Sequence, residues 1–434
     1  MKARRIVGTV IVVAAGLYLA FVAGIVAVVY EVFPGPWLES KFLEMKSLAQ
    51  LRGEWQAEPG SNYFFWTEPR KKETGTLTYN EELTQPGYTL YFAGDLPGAR
   101  LIDQDGKVIH QWSKPFSEVW PNPGRLQRFA PDNLIVATAG HVYPNGDLLL
   151  IYFGWDRPFG YGIAKLDKDS NVIWARDERA HHDVTVGDDG RIYALTHEFK
   201  EFPRTVVNYR SRSAIYNDYV VVLSPEGDRE ETIDVFKVLT SSELGFNDYV
   251  KEIFEQQSVR NFDPTHTNAA KVVTEEWAQH YEEVSPGDIM ISMRTLSMIA
   301  VLSRKTHEIV WATWGSWRHQ HDPDMLPDGQ ILLFDNAGDL AGKGTRVIEF
   351  DPRTQAVTWS YSTGFGNRYR GEQQRLENGN TLLSDTAGSR FLEVTRDGQI
   401  VWEYSIPVRS EAGKGPWAWR AKRIPKAYFT FLTD

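Results

Sequence analysis

The chain has 434 residues, a formal net charge of −10 and no cysteine. Without cysteine no disulfide can form and no thiolate can react, so catalysis would fall to His, Ser, Tyr, Lys or carboxylate side chains. The acidic balance, with no block of basic residues beyond the N-terminus, argues against a nucleic acid as partner.

The N-terminus has the pattern of a membrane anchor. Three basic residues precede an uncharged run of 25 residues, 6–30. This run is long enough to cross a hydrocarbon core of about 30 Å, and it exceeds the roughly 7 to 15 apolar residues of a cleavable signal peptide, the alternative interpretation. We predict that residues 1–5 stay in the cytoplasm, that residues 6–30 cross a bacterial inner membrane, and that the rest lies on its periplasmic side. Gly16, Ala20 and Gly24 have the spacing that lets two such helices pair, so the pattern allows a homodimer.

Residues 31–85 are predicted to form a short amphipathic helix followed by a stalk. Apolar side chains recur at helical spacing among charged ones between Trp37 and Leu48. A helix packed on the following domain and a helix lying on the membrane surface both fit this pattern. Farther along, strand and turn signals alternate, and helical segments interrupt them at 241–260 and 274–286. Residues 86–434 are therefore predicted to be one all-β domain.

One sequence phrase returns six times in that domain: a strand, a polar turn, and a second strand that mostly ends near Trp. The copies are LIDQDGKVIHQW at 101–112, KLDKDSNVIWAR at 165–176, VLSPEGDREETIDV at 222–235, VLSRKTHEIVWATW at 301–314, EFDPRTQAVTWSY at 349–361 and EVTRDGQIVWEY at 393–404. Repeats of this period and content are typical of propeller blades, none of which can bury its faces alone. We predict a six-bladed β-propeller, closed by pairing a strand near 88–92 with a late strand.

Histidines recur at one phase of the predicted channel-lining strands. When the repeats are aligned on the glycine of the turn, His182 stands eight residues before Gly190, and His321 stands eight before Gly329. His266 opens its strand in the same way. Because the first strand of each blade lines the central channel, these side chains should converge at one mouth. The alternative is that each His merely caps a strand or bonds a neighbouring loop.

A cation accompanies these histidines. Arg294 ends the segment GDIMISMR, which continues the strand that His266 opens. A guanidinium inside a propeller indicates an anion or a carboxylate partner, and the alternative partners are Asp183, Asp322 and Asp335. Three imidazoles with an Arg offer donors to several oxygens of an oxyanion, whereas three imidazoles alone would suggest zinc. We predict an oxyanion site with no metal and no cofactor.

The motifs around these residues resemble a known family. HHDV at 181–184, THTN at 265–268 followed by ISMRTLS, and RHQHD at 318–322 with LLFDNAG are similar to the bacterial arylsulfotransferases that work without a nucleotide donor. The resemblance implies a six-bladed propeller that transfers a sulfuryl group from an aryl sulfate to a phenolic or other hydroxyl acceptor. By motif match it implies a sulfated His321 as the intermediate, with His182, His266 and Arg294 around the anion.

The residues themselves are suited to this chemistry. A neutral imidazole is a competent nucleophile near pH 7 and leaves readily afterwards, and a sulfuryl group in transfer mainly needs positioning and charge neutralisation. Trp314, Trp317 and Phe334 flank the His321 strand and are candidates to stack on the aryl ring, although Trp in a blade strand is commonly core. Asp335 and Asn336 of the same motif complete the predicted substrate-binding set.

Two other functions are compatible with a propeller of this sequence. The pattern of residues 103–112 also occurs in quinone-cofactor dehydrogenases, which would carry a bound chromophore. A non-catalytic, anchored propeller that binds an anionic ligand or a protein partner would show anion binding without turnover.

Overall fold

A computed structural model of the chain describes residues 2–29, 65–122, 132, 135–154, 160–201, 214–242, 263–338, 344–367 and 370–432. The predicted amphipathic helix between Trp37 and Leu48 lies outside the described residues, as does most of the predicted helical segment 241–260.

The N-terminal segment forms helix α1 (Lys2–Val29), 28 residues long. Its side chains are described from residue 12 to residue 26, where eight large apolar side chains are exposed. They are Val12, Val13, Leu17, Tyr18, Leu19, Phe21, Ile25 and Val26. In the described part of the chain, no helix has the combination of length and apolarity that crossing a bilayer requires.

The remaining described elements are mainly strands, grouped here by sheet. The first are β1 (Trp66–Thr67) and β2 (Gly75–Tyr79), then β3 (Tyr88–Ala93), β4 (Gly98–Ile102) and β5 (Val108–Ser113) in blade one. Blade two has β6 (Ile135–Val142), β7 (Leu148–Gly154), β8 (Gly162–Leu166) and β9 (Val172–Arg176). Blade three has β10 (Ala180–Val186), β11 (Ile192–Glu201), β12 (Ala214–Leu223) and β13 (Arg229–Asp234). Blade four has β14 (Thr267–Val272), β15 (Ile289–Met293), β16 (Met298–Leu302) and β17 (Ile309–Trp314).

Blade five has β18 (His321–Met325), β19 (Ile331–Asp335), β20 (Arg346–Asp351) and β21 (Ala356–Ser362). Blade six has β22 (Gln373–Arg375), β23 (Thr381–Asp385), β24 (Arg390–Val394) and β25 (Ile400–Ser405), and the chain continues with β26 (Gly415–Pro416) and β27 (Ala418–Ile424). Short helices are α2 (Phe116–Val119), α3 (Val235–Ser241) and α4 (Glu275–Ala278), the last inside the predicted helical segment 274–286.

The six blades confirm the predicted propeller, and the sequence phrases form the third and fourth strands of their blades, counted from the channel. The strand pairs of the blades are antiparallel, and the sheet orders run β27-β3-β4-β5, β6-β7-β8-β9 and so on around the ring. We call β27, β6, β10, β14, β18 and β22 the inner strands, and β5, β9, β13, β17, β21 and β25 the outer strands. Inner strands of neighbouring blades contact one another around the central channel.

The ring is closed by two strand pairings between distant parts of the chain. Strand β3 pairs with the C-terminal β27, from Tyr88 opposite Ile424 to Ala93 opposite Ala418. This pairing confirms the predicted closure of the first blade and removes an open sheet edge. Strand β2 adds a fifth strand to blade six by pairing with β25. Residues 75–79 therefore belong to the propeller, which begins before the predicted boundary at residue 86.

The Trp of the sequence phrase links neighbouring blades. In four copies its indole N–H donates to a backbone carbonyl in a turn of the next blade, while the ring fills the space between sheets. The pairs are Trp112 to Gly146 at 2.8 Å, Trp174 to Pro225 at 3.2 Å, Trp359 to Arg396 at 2.7 Å and Trp402 to Gln104 at 2.8 Å. The repeat is thus maintained by blade-to-blade contacts that a single blade could not make.

Candidate active site

The backbone is strained where the inner strands of blades three to six begin. Four non-glycine residues there have left-handed backbone angles: His182 (φ 55°), His266 (φ 45°), Asp322 (φ 49°) and Arg370 (φ 60°). The strand register shifts beside each of the first three. Such bulges turn side chains out of the regular alternation, and strain of this kind is found mainly at functional sites.

The three predicted histidines lie together at this end of the channel. The ring centroid of His182 is 5.0 Å from that of His266 and 6.4 Å from that of His321. His182 and His321 are buried, and His266 is half-buried. Three different blades therefore supply imidazoles to one small volume, as the alignment of the repeats predicted.

Hydrogen bonds fix which nitrogen of His321 carries the proton. Its Nδ1 lies 2.7 Å from Asn336 Oδ1 and 3.1 Å from the backbone oxygen of His319. The Asn336 amide nitrogen donates to the carbonyls of Asn367 and Arg370, and this fixes the amide so that Oδ1 faces His321. Both partners of Nδ1 are acceptors, so Nδ1 is the donor and Nε2 keeps the lone pair.

His266 has a carboxylate behind it. Its Nδ1 lies 2.5 Å from Asp263 Oδ2, and Asp263 Oδ1 accepts from the His266 backbone N–H at 3.0 Å. The carboxylate orients the ring and holds the proton on Nδ1, which leaves Nε2 of His266 as a base. Burial, followed by the charges of Arg294 and Arg370, lowers the pKa of His266 well below its ordinary value.

Two guanidinium groups set the electrostatics of the site. Burial is the largest cause that lowers the pKa of His321, and the positive charge of Arg294 is the next. Burial and the charge of Arg370 likewise lower the pKa of His182. Both imidazoles are therefore neutral at neutral pH, next to cations that an anionic ligand would neutralise.

Arg370 is the site residue that the sequence reasoning missed. Its guanidinium carbon lies 4.5 Å from the ring centre of Trp419 and 5.0 Å from that of Phe153, and Nη2 is buried with no hydrogen-bond partner within the described residues. Burial lowers the pKa of Arg370 to about 9, so the group remains charged at neutral pH. One sequence feature could have identified Arg370: it directly precedes Gly371, which stands eight residues before the turn Gly379, the spacing that His182 and His321 have in their blades.

Polar residues that follow the histidines tie the inner strands together. They bond to the inner strand or preceding segment of the next blade, so that the site is held by three successive inter-blade contacts. The contacts are Ala270 N to Asp183 Oδ2 at 3.1 Å, Asn268 Nδ2 to the Gln320 oxygen at 2.7 Å, and Gln373 N to Asp322 Oδ2 at 3.3 Å. In the pairs His182-Asp183 and His321-Asp322, the histidine therefore belongs to the site and the aspartate bonds to a neighbouring blade.

Each carboxylate considered as an alternative partner of Arg294 has another cation. Asp183 pairs with Arg420 at 2.8 Å, and Asp335 pairs with Arg346 at 2.8 Å. Asp322 pairs with Lys271. The charge of Arg294 lowers the pKa values of His266 and His321, and it opposes the burial that raises the pKa of Asp263.

The comparison with protein families agrees with this geometry. A family model described as arylsulfotransferase (ASST) matches residues 142–406, which contain the three histidines, Arg294 and Arg370. The chain belongs to the arylsulfotransferase family. Membership supports arylsulfotransferase activity in general, with an aryl sulfate as donor and a phenol as acceptor.

Solved structures similar to this arylsulfotransferase share little sequence with it. A protein of unknown function from Bacteroides caccae is 9% identical, with a TM-score of 0.46 over 77% of this chain and 97% of that one. A streptogramin B lyase is 11% identical, with a TM-score of 0.42 over 83% and 97%. Apo AztD from Citrobacter koseri is 9% identical, with a TM-score of 0.37 over 79% and 100%. At these values the matches carry no inference about activity, and no curated protein matches significantly.

The residues predicted to bind substrate occupy different places in the arylsulfotransferase fold. Asn336 contacts His321, as described above. Asp335 is fully buried at the end of β19, where it accepts from the backbone N–H of Arg318. Trp314 is half-buried at the end of the outer strand β17.

The other two predicted aromatic residues lie in the interior. Trp317 is buried between blades, with its ring centre 4.7 Å from that of Phe350 and its N–H donating to the Ser297 oxygen. Phe334 is fully buried and lies against Gly371, where an added Cβ would stand 2.3 Å from the ring. Close contact with this ring explains the glycine at the histidine position of blade six. The aromatic rings placed beside the site are Phe153 and Trp419, under Arg370.

A second group of titratable side chains lies behind His182. His181, His197 and Asp218 are buried, and one potential ligand atom from each lies within 4.8 Å of the others. This is the group among the described residues whose arrangement can hold a metal ion.

Proposed function

We propose that this arylsulfotransferase transfers a sulfuryl group in two steps through a sulfated His321. The observation that carries the proposal is the orientation of His321, whose Nδ1 donates to Asn336 Oδ1 at 2.7 Å and whose Nε2 therefore has a free lone pair. Neutral imidazole nitrogens next to two guanidinium groups suit a reaction in which a nucleophile attacks an anion.

In the first step, the lone pair of His321 Nε2 forms a bond to sulfur as the bond from sulfur to the aryl oxygen breaks. The donor leaves as a phenoxide with the electron pair of that bond. Arg294, Arg370 and the His182 ring surround the three remaining sulfate oxygens, whose spread charge is the feature that such transfers must stabilise. The proton on His321 Nδ1 stays there throughout, hydrogen-bonded to Asn336 Oδ1.

In the second step, the oxygen of the acceptor phenol attacks sulfur and the bond between sulfur and Nε2 breaks. His266 Nε2 takes the phenol proton, since Asp263 holds the other ring nitrogen at 2.5 Å. That proton then passes to the phenoxide released in the first step, directly or through solvent. Over the two steps the donor gives its sulfuryl group to the acceptor and receives the acceptor's proton, and the protein returns to its starting state.

The test is chemical trapping of the intermediate. Purified protein incubated with 4-nitrophenyl sulfate and no acceptor should gain about 80 Da, the mass of an SO3 group, on the peptide that contains His321. Addition of a phenol should remove the adduct. His321→Ala should lose the adduct and at least about a thousandfold of the turnover, while His307→Ala, an exposed histidine paired with Glu231, should behave like wild type.

Normal turnover by His321→Ala would overturn the assignment. Turnover without an adduct on any histidine would replace the two-step mechanism by direct transfer. Sulfate binding with no turnover across a panel of aryl sulfates would instead favour a non-catalytic, anion-binding propeller.

We also propose membrane attachment through residues 6–30, with the propeller on the periplasmic side. The exposed apolar side chains of α1 between residues 12 and 26 support this proposal, because a continuous apolar surface needs a cover. Full-length protein should fractionate with membranes, and a chain that begins at residue 65 should not. Protease added to spheroplasts should cleave the propeller; protection in intact spheroplasts would contradict the predicted topology.

A further inference from the structure

We propose that His181, His197 and Asp218 bind a divalent transition metal ion, with Zn²⁺ as the ion that their ligand set favours, directly behind His182. All three side chains are buried, with at most 3% of their surface exposed. Two imidazoles and a carboxylate are a ligand set that Zn²⁺ uses, with one coordination position left open.

The spacing of the ligand atoms fits coordination by a metal better than a direct hydrogen bond. His181 Nε2 lies 3.5 Å from Asp218 Oδ1, which is longer than a charge-assisted hydrogen bond. Two ligands about 2.0 to 2.1 Å from a tetrahedral Zn²⁺ are separated by roughly 3.3 to 3.5 Å. The ring centroids of His181 and His197 lie 4.6 Å apart with an interplanar angle of 28°, and one potential ligand atom from each ring lies within 4.8 Å of the other and of an Asp218 oxygen.

The carboxylate is held in place by groups outside the cluster. Asp218 Oδ2 accepts from Thr265 Oγ1 at 2.6 Å and from the Thr267 backbone N–H at 2.7 Å. These bonds occupy one carboxylate oxygen and turn the other toward His181. Orientation of a ligand by outer hydrogen bonds of this kind is usual at metal centres.

An ion could reach the cluster from a neighbouring cavity. His197 and Thr196 line a cavity of about 100 Å³ whose other lining residues include Glu178 and Arg229, which pair with each other. His197 thus lies between this cavity and the buried ligands. The lining also includes Asp177, Glu198 and Arg179, so that three carboxylates stand against two arginines and the balance of charge favours a cation.

A metal here would decide the role of His182. A ring that binds the metal through Nε2 carries its proton on Nδ1, and His181 Nδ1 lies 2.8 Å from His182 Nδ1. His181 would then donate, His182 Nδ1 would accept, and His182 Nε2 would carry a proton toward the sulfate oxygens. Without the metal, the proton of His181 can lie on its own Nε2, facing Asp218. His181 Nδ1 then accepts a hydrogen bond from His182 Nδ1 and no longer donates one. This consequence rests on the proposed function, whereas metal binding itself does not.

Zn²⁺ binding to the full chain tests the site without any sulfate ester. After treatment with a chelator, the protein should take up one Zn²⁺ per chain by calorimetry and by metal content after gel filtration. His197→Ala and Asp218→Asn each remove or weaken one ligand, so each should lower the affinity for Zn²⁺ at least about tenfold. The control His307→Ala removes an exposed histidine that also pairs with a carboxylate, Glu231, and should keep the site.

Two results would overturn the site: less than stoichiometric Zn²⁺ in wild type, or equal binding by wild type and His197→Ala. As a measurement independent of how the ligand variants fold, Zn²⁺ should also raise the melting temperature of wild type and not that of Asp218→Asn. Removal of Zn²⁺ should raise KM for 4-nitrophenyl sulfate about tenfold, since one donor to the sulfate is lost. An unchanged KM would overturn the coupling to His182, and Zn²⁺ binding with no turnover at all would count against the proposed function alone.

Discussion

The inner and outer strands of the same blades follow different rules. The outer strands repeat one pattern, in which a Trp reaches the next blade, for example Trp402 to the Gln104 carbonyl at 2.8 Å. The inner strands of blades three to five instead break regularity with left-handed residues and shifted register at His182, His266 and Asp322, and Arg370 before the inner strand of blade six is also left-handed. The difference shows that packing between blades constrains the outer strands, whereas the inner strands are shaped around the histidine cluster.

The largest effect should come from an inner-strand cation. Arg370→Gln removes a buried charge beside His182, so kcat for aryl sulfate should fall about 10² to 10³-fold, the usual loss for one preorganised charge at a transition state. Arg396→Gln is the control, because Arg396 also lies over a tryptophan, Trp359 of the outer strand β21, but stands in the turn between β24 and β25. Steady-state kinetics measure both, and equal losses in the two variants would remove the contrast between the strands.

A smaller effect is expected when the proton on His321 is no longer fixed. Asn336→Ala removes the acceptor at 2.7 Å from Nδ1, so kcat should fall about 10 to 100-fold with little change in KM. Asn378→Ala, in a turn between the first two strands of blade six, should leave kcat unchanged. A rise in KM alone would show that Asn336 binds substrate and does not orient the nucleophile.

The pH dependence should follow the charge of Arg294. Because the pKa of His321 lies well below its ordinary value of about 6.5, the nucleophile stays neutral and active as the pH falls below that value. Arg294→Gln removes a cause of the lowering, so the acid limb of kcat/KM should move to higher pH. The exposed Arg353→Gln should not move it, and a limb that moved to lower pH in Arg294→Gln would contradict the assignment.

The smallest effect on catalysis should come from the outer strands. Trp402→Phe removes the N–H that donates to Gln104 and should lower the free energy of unfolding by about 1 kcal/mol, the usual value for one hydrogen bond. Turnover per folded molecule should be unchanged. Denaturant unfolding and active-site titration measure the two quantities, and a tenfold fall in kcat would show that the outer strands also control the site.

Part of the site was predictable because it repeats. His182 and His321 share a phase relative to the turns and His266 opens its strand in the same way, and a shared phase on channel-lining strands means a shared location. Asp263 has no such phase, and Arg370 stands one residue before the position that the histidines occupy, so the alignment did not select it. Phe334 has the right residue type and the right neighbourhood in sequence, but alternation of side chains in β19 directs it into the core. Trp317, in the segment after β17, is buried against Phe350.

The sequence by itself determined the architecture and the identity of the main imidazoles, because a periodic pattern repeats the same local structure in each blade. It also predicted the closure of the ring, since an unpaired strand near residue 88 needs a partner. Only the tertiary structure decided which side chains face the ligand. The tautomer of His321, the position of Arg370 and the cluster behind His182 depend on contacts between residues far apart in the chain. Distance and orientation across blades are not encoded in any single repeat, and they decide what the histidines can do.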